Sequence, residues 1–444
     1  MKRLRKLYFL KPILDLKRNI VRADEKWNFA NIFNEYFCFC KGSNCLNMKV
    51  SNSCKYYFYL HLIDLNSEVY KKTDFLLMDF ILEKYSSDDV FPIFEKMINY
   101  NLNAHYLTEK KEIYQKYCDK KKYCNSVIYV KYNNYTINDD FLEKHLSLIL
   151  KLRQVLSSVG VNINFINNIF YNIDYITYIC ICHGVSFFKD YLYRSYYGPG
   201  NFDKLLIPNS EKLISITKKY GWKEENLIKF NLPRWDKYII TNISLNYNLK
   251  INYSNSIFIM FTWRNLKNGE RISSFYINNI LNLLNNEQLI NNLLKYNLTL
   301  YFTLHHKVLI YKELFKFKKS VVYIEENEIA ECISKTNLIV TDFSSIIFDI
   351  IYRRKPYIIY IPDANDPLIF KKYENYCYNI INNFKYNIYE FENIFFDINS
   401  TIKQINYYIN NNFKLDRKIK KFYDGFNFTN VPIINDFINY LVKL

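Results

Sequence analysis

Four strand-like apolar runs in this chain are followed at once by residues that can handle a charged or phosphorylated group. His183-Gly184 follows Ile176–Cys182, and Thr262-Trp263-Arg264 follows Ser256–Phe261. His305-His306 follows Leu298–Leu304, and Thr341-Asp342-Phe343-Ser344-Ser345 follows Leu338–Val340. In open parallel sheets, ligands bind outside the carboxyl ends of the strands, so these are the positions where chemistry is expected.

Each residue type suggests a role there. A histidine in a crevice is suited to general base work because its pKa lies near working pH. His-Gly alone is more often structural, but Lys189 and Arg194 follow closely and strengthen an anion site nearby. Arg264 can clamp a phosphate bidentately. The two adjacent histidines at 305 and 306 point to opposite sides of an extended backbone, so they do not chelate one metal together. Asp342 or Ser344 suits a helix N-cap, and Ser344 and Ser345 at the start of a helix present hydroxyls and N–H groups to an anion. Alone, that segment reads as an ordinary capped helix. Asp349 lies one turn past Ser345 and is read as orienting its neighbours. Together, two histidines and a hydroxyl-lined helix start suit transfer of a phosphorylated group. A glycine-rich phosphate loop and a Gly-x-Gly-x-x-Gly fingerprint are both missing, which disfavours ATP-type and dinucleotide chemistry. No clear Asp-x-Asp follows a strand, so a metal is not demanded, and no cofactor is expected.

The elements that must position these residues alternate. Strands are expected at Cys54–Leu65, Asn103–Leu107, Ser126–Lys131, Ile176–Cys182, Leu205–Pro208 and Asn226–Asn231. Helices are expected at Phe91–Leu102, Glu109–Tyr117, Asp139–Ser158 and Ser210–Tyr220. The polar, Asn-rich stretch Asn242–Ser254 reads as a linker. A second series then has strands at Ser256–Phe261, Leu298–Leu304, Val321–Ile324, Leu338–Val340 and Tyr357–Tyr360. Its helices lie at about Ile272–Leu284, Gln288–Tyr296, Ile329–Ser334 and Ser345–Tyr352. Strands alternating with helices imply an α/β fold with parallel pairing, here in two doubly wound domains. The expected division is a basic arm over 1–50, a first domain over 51–240 and a second over 241–444.

Composition limits the partners. The 444 residues carry a formal net charge of +17, with only 8 glycines and 9 prolines. Abundant Asn, Ile, Lys and Tyr reflect AT-rich coding, so no single Asn or Lys is singled out. Such a charge attracts nucleic acid, anionic lipid or a phosphate-rich polymer. Zinc-finger spacing and RNA-binding signatures are absent, which makes nucleic acid the weakest of the three. Residues 1–22 hold eight Lys or Arg against one acid, interleaved with Leu, Tyr, Phe and Ile. That arm suits an anionic membrane surface or simple solvation equally. No apolar run is long enough to span a bilayer and no signal peptide is evident, so the expected location is cytoplasmic, peripheral to the membrane at most. The ten cysteines form no metal or disulfide framework; Cys180 and Cys182, in an apolar run, read as buried thiols.

The ordered set of motifs resembles the CDP-glycerol glycerophosphotransferases that build teichoic acids and related capsule polymers. The matching pieces are His183-Gly184 with Lys189, Pro233-Arg234-Trp235-Asp236, Thr262-Trp263-Arg264, Leu304-His305, Thr341–Ser345 with Phe348-Asp349, Lys355-Pro356, and Tyr423-Asp424-Gly425. They cover roughly residues 90–425 in the family's order. There are departures: His183-Gly184 is one residue further from its Lys, Phe343 stands where the family has Tyr, Leu232 stands where a Gly often precedes the Pro, and the last Asp-Gly lacks its usual Ala-Ser-x-Arg continuation.

The resemblance implies a GT-B arrangement, two Rossmann-like domains facing across a cleft with the nucleotide mainly on the second. It implies His183 as the base on the acceptor hydroxyl and His305 at the leaving phosphate. Thr262, Arg264, Ser344 and Ser345 would hold the donor diphosphate. Asp342 would touch the donor or be structural, with Lys189, Arg234 and Asp349 in support. The implied partners are a CDP-polyol donor and a phosphate-rich or glycan acceptor, lipid-linked. Two other readings remain: a nucleotide-sugar glycosyltransferase of the same fold, and a non-catalytic scaffold that binds polyanions or membrane.

Overall fold

The computed structural model describes residues 70–78, 89–108, 111–120, 123, 125–129, 145, 147–158, 175–181, 199, 202–236, 238, 255–264, 273–317, 321–325, 328–364, 366, 391–428 and 432–444. The basic arm, the expected strand at Cys54–Leu65, His183, Lys189 and the Asn-rich linker lie outside the described residues.

Two sheets organise the chain. The first contains β1 (Asp74–Met78), β2 (Ala104–Thr108), β3 (Val127–Tyr129), β4 (Leu152–Ser157), β5 (Thr177–Cys180), β6 (Lys204–Ile207) and β7 (Leu227–Lys229). Its seven strands run in the order β3-β2-β1-β4-β5-β6-β7, and the pairs β2–β3, β5–β6 and β6–β7 are parallel. Helices α1 (Val90–Asn99), α2 (Lys111–Cys118) and α3 (Glu211–Lys219) connect these strands.

The second sheet contains β8 (Ser256–Phe261), β9 (Thr299–Leu304), β10 (Val321–Tyr323), β11 (Leu338–Thr341), β12 (Tyr357–Tyr360) and β13 (Ile394–Phe395). Its order is β10-β9-β8-β11-β12-β13, and every neighbouring pair is parallel. Helices α4 (Ser274–Leu284), α5 (Glu287–Lys295), α6 (Ile329–Lys335) and α7 (Ile347–Tyr352) link it, and α8 (Ile398–Asn410), α9 (Arg417–Asp424) and α10 (Ile434–Lys443) follow. This is the doubly wound order whose ligand crevice opens where the winding reverses, between β8 and β11.

By its contacts the chain divides into two compact units. One holds residues 78–101, 156–160 and 179–444, and the other holds β2, β3 and most of β1 and β4.

Local sequence explains most of these elements. The strands β11 (LIVT) and β12 (YIIY) are buried at every position, as expected where helices cover both faces of a parallel sheet. In α1, Val90, Phe91, Ile93, Phe94 and Met97 are buried and recur at helical spacing. Side-chain caps start four helices: Ser273 accepts from the Tyr276 amide, Asn286 from Leu289, Asp397 from Ser400, and Asp416 from Lys418 and Ile419. With so few glycines, asparagine takes over the left-handed positions that end helices, as at Asn101, Asn297 and Asn412. Cys180 and Cys332 are buried free thiols, in keeping with the reading of Cys180.

Two expectations change. The expected helix Asp139–Ser158 is helical at 147–151, but Leu152–Ser157 is strand β4. Leu152, Gln154, Val155 and Leu156 are fully buried between β1 and β5. An apolar run of this length satisfies either period, and the pairing partners decide it. The strand β1 (DFLLM) was not anticipated, although it stands next to the winding reversal of the first sheet.

Candidate active site

The carboxyl ends of β8, β9, β11 and β12 converge on one set of side chains. Thr262 leaves β8 with its N–H donated to both oxygens of Asp342, at 3.0 and 3.1 Å. Asp342 stands just past β11, so this bond spans the point where the sheet reverses its winding. The Arg264 guanidinium lies beside it. Nη1 donates to Asp342 Oδ2 at 2.8 Å and to the Thr262 carbonyl at 2.8 Å. Nε and Nη2 donate to the two oxygens of Asp363 at 2.6 and 2.8 Å, a bidentate fork. The rings of Tyr276 and Phe343 stack against it, with centroids 4.7 and 4.3 Å from Cζ. The Tyr276 hydroxyl donates to the Thr262 carbonyl at 2.9 Å.

All three charged groups of this cluster are buried. Burial by itself would lower the pKa of Arg264, but the carboxylates of Asp363 and Asp342 outweigh it and hold the guanidinium charged. Burial pushes the Asp342 carboxyl up, against the pull of Arg264 and the Thr262 amide. Burial raises the Tyr276 phenol well above its ordinary value, so it stays a hydrogen-bond donor.

This geometry revises the role expected for Arg264. Four of its five N–H groups are committed to protein acceptors, and two carboxylates already face its single positive charge. A phosphate clamp needs an open guanidinium face and uncompensated charge. Arg264 instead fixes the ends of β8, β11 and the turn after β12. Asp363 is the partner the sequence reading missed. The rule applied to the other strands, that a polar residue just past a strand end is a candidate, would have found it.

His305 and Trp263 stand at the neighbouring ends of β9 and β8. Both are half-buried, and their ring centroids are 6.3 Å apart at a tilt of 44°. His306 opens the 3-10 helix His306–Leu314. Ser344 is buried and Ser345 is half-buried. The helix expected to start at Ser345 starts at Ile347, with Ile346 in the cap position and no side-chain cap. Asp342 does not cap it, because its oxygens are turned to Thr262 and Arg264. Ser344 Oγ accepts from the Ile346 amide only at 3.5 Å.

A second buried cluster gathers the Pro233–Asp236 motif. Asp349 accepts from Arg234 Nε and Nη2 at 2.9 and 2.8 Å, from Trp235 Nε1 at 2.8 Å and from the Tyr238 hydroxyl at 3.0 Å. Arg234 also donates to Asp89 through Nη1 at 2.9 Å and through its backbone N–H at 3.1 Å. Asp236 accepts the Ile433 and Ile434 amides at 2.9–3.0 Å, at the start of α10. One short motif thus holds the residue before α1, helix α7 and the start of α10. Asp349 accepts from three donor residues, and Asp89 is a partner that no spacing rule could have named. Among the described residues no group of three or more His, Cys, Asp or Glu is placed to hold a metal ion, and no helix is long and apolar enough to cross a membrane.

The model of the family described as CDP-Glycerol:Poly(glycerophosphate) glycerophosphotransferase matches residues 64–430, which takes in the charged side chains of both clusters and all the motifs named above. The chain belongs to this family. A relative in Bacillus subtilis (strain 168), the minor teichoic acid biosynthesis protein GgaB, is 27% identical over 242 residues, 50% of this chain and 24% of that protein. The chain therefore aligns with about a quarter of that relative's length. Among solved structures, the wall teichoic acid polymerase TagF is similar at a TM-score of 0.55 and 15% identity, covering 88% of this chain and 96% of that one. The S. aureus MnaA–UDP structure is similar at a TM-score of 0.51 and 12% identity, covering 84% of this chain and 97% of that one. At such identities the likeness is one of fold. The fold of this family member is GT-B-like, with two parallel-sheet α/β domains, as the sequence led one to expect.

Proposed function

We propose that this family member transfers glycerol phosphate, or a similar polyol phosphate, from a CDP-activated donor to a hydroxyl of a surface-polymer acceptor, releasing CMP. The observation that carries this reading is the set of residues at the winding reversal of the second sheet. Thr262, Trp263, His305, Ser344 and Ser345 stand there at the ends of β8, β9 and β11, where a doubly wound sheet binds a nucleotide.

In this reading His183 takes the proton of the acceptor hydroxyl. The freed oxygen attacks the donor's β-phosphorus, an oxygen–phosphorus bond forms, and the bond to the CMP oxygen breaks. His305 donates to the leaving phosphate as its charge develops, and the hydroxyls of Ser344 and Ser345 hold the diphosphate. Catalysis here consists mainly of positioning and charge stabilisation. Arg264 and Asp342 contribute by fixing the strand ends rather than by touching the donor. The acceptor is proposed to be lipid-linked, with the enzyme at the cytoplasmic face of the membrane, held there by the basic residues between Met1 and Arg22.

The test is an assay of purified protein with CDP-glycerol, CDP-ribitol and UDP-sugars in the presence of a polyol-phosphate primer. CMP released from a CDP-polyol supports the reading. UDP released only from the sugars replaces it with a nucleotide-sugar glycosyltransferase.

A further inference from the structure

Trp263 sits just past β8, between two residues that are each held by several hydrogen bonds. On one side, the Thr262 amide is bound to Asp342 and its carbonyl receives both Arg264 Nη1 and the Tyr276 hydroxyl. On the other, the Arg264 side chain is fixed by Asp342 and Asp363 and lies against the rings of Tyr276 and Phe343. Such a network of buried charges is costly unless every bond is made, so it tolerates little displacement of the backbone it holds. A residue whose neighbours on both sides are pinned has its Cα and its Cβ direction set for it.

That direction takes Trp263 to His305. The indole is neither in the core nor fully exposed, and its ring lies 6.3 Å, centroid to centroid, from the imidazole. Strands β8 and β9 are paired in register up to Phe261 with Leu304, two residues before Trp263 and one before His305. The ring contact is made by side chains just beyond the last paired residues of the two strands. An indole face is a large, rigid surface with few torsions, and it favours a ring that is or becomes cationic beside it.

We infer that Trp263 is a positioning residue for His305: its indole sets the orientation of the imidazole, and the Arg264–Asp342–Asp363 cluster in turn sets Trp263. This rests on the proposed reading of His305 as the group that meets the leaving phosphate. It also gives the buried cluster a part in the reaction that its lack of an open donor face would otherwise deny it.

The test has two arms that fail separately. In protein labelled with ¹³C-histidine, the His305 ring resonance is assigned with His305→Asn and then followed in Trp263→Leu and Trp263→Phe. The six histidines of the chain supply internal references. Trp263→Leu is expected to move the His305 resonance more than any other, and Trp263→Phe, which keeps a ring, to move it less. In the second arm, CMP release from a CDP-polyol is measured. Trp263→Leu is expected to lower kcat about 10- to 100-fold with KM little changed, the signature of a misplaced group rather than a lost binding contact, and Trp263→Phe to recover part of that loss. An unmoved His305 resonance overturns the positioning role, as does wild-type turnover in Trp263→Leu. If the wild-type protein turns over no CDP-polyol, the transferase reading falls, and the resonance arm alone decides whether the indole orients the imidazole.

Discussion

Asp342 receives the Thr262 amide on both of its oxygens, at 3.0 and 3.1 Å, so the strand ends β11 and β8 are joined by one carboxylate at the point where the second sheet reverses its winding. The same carboxylate holds Arg264 Nη1 at 2.8 Å. Asp342, expected from the resemblance either to touch the donor or to be structural, in this structure braces the ends of β8 and β11.

The first prediction follows from that brace. Arg264→Ala leaves the buried carboxylates of Asp342 and Asp363 without their cation. Breaking a buried ion pair from one side typically costs about 3–5 kcal/mol. Urea unfolding should show a loss of that order, and Arg264→Lys should recover only part of it, because an ammonium cannot reproduce the bidentate fork on Asp363. An Arg264→Ala protein as stable as the wild type would mean that Arg264 is a ligand-facing residue after all.

The second cluster gives a parallel prediction with a different readout. Asp349→Asn turns an acceptor of four hydrogen bonds into a group with an NH₂ facing the Arg234 and Trp235 donors. Loss of about 2–4 kcal/mol is expected. Because Trp235 stacks on Tyr352 with centroids 4.4 Å apart, the near-ultraviolet circular dichroism of that pair should change as well. A thermal midpoint and spectrum identical to those of the wild type would show that the cluster adds nothing to the fold.

His305 separates stability from activity. It is half-buried and outside both ion clusters, so His305→Ala should change stability by only about 1 kcal/mol or less. Turnover of a CDP-polyol should fall by about 10²- to 10⁴-fold, the usual contribution of a positioned acid or base. Full turnover in this variant would remove His305 from the chemistry.

Lys355 supplies the pH dependence. Burial, and then the neighbouring Arg353, lower its pKa from 10.5 to about 8. Between those values the unfolded chain binds more protons than the folded one, so this group makes stability rise with pH. Its charge opposes folding most fully below pH 8, and the opposition is relieved as pH climbs toward 10.5. Lys355→Met should therefore raise the melting temperature at pH 7, and the gain should shrink steadily between pH 8 and 10. A gain independent of pH would assign the effect to packing alone.

The sequence by itself determined five of the six strands of the second sheet, all but the short β13 (Ile394–Phe395). Ser256–Phe261 and Tyr357–Tyr360 were legible to the residue, because a strand covered on both faces must be apolar throughout and a polar residue must end it. The same rule placed Thr262, His305 and Asp342 at strand ends, and the ordered motifs pointed to the family. Only the tertiary structure decided what those residues do to one another. Nothing in the spacing says that Arg264 meets Asp363, 99 positions away, or that Arg234 meets Asp89, 145 positions away. Nor could period distinguish helix from strand at Leu152–Ser157, where burial on every side suits both. Local periodicity reports which faces are apolar. The partner of a buried charge is fixed by which strand ends the winding order brings side by side, and for Arg264 those partners were two carboxylates.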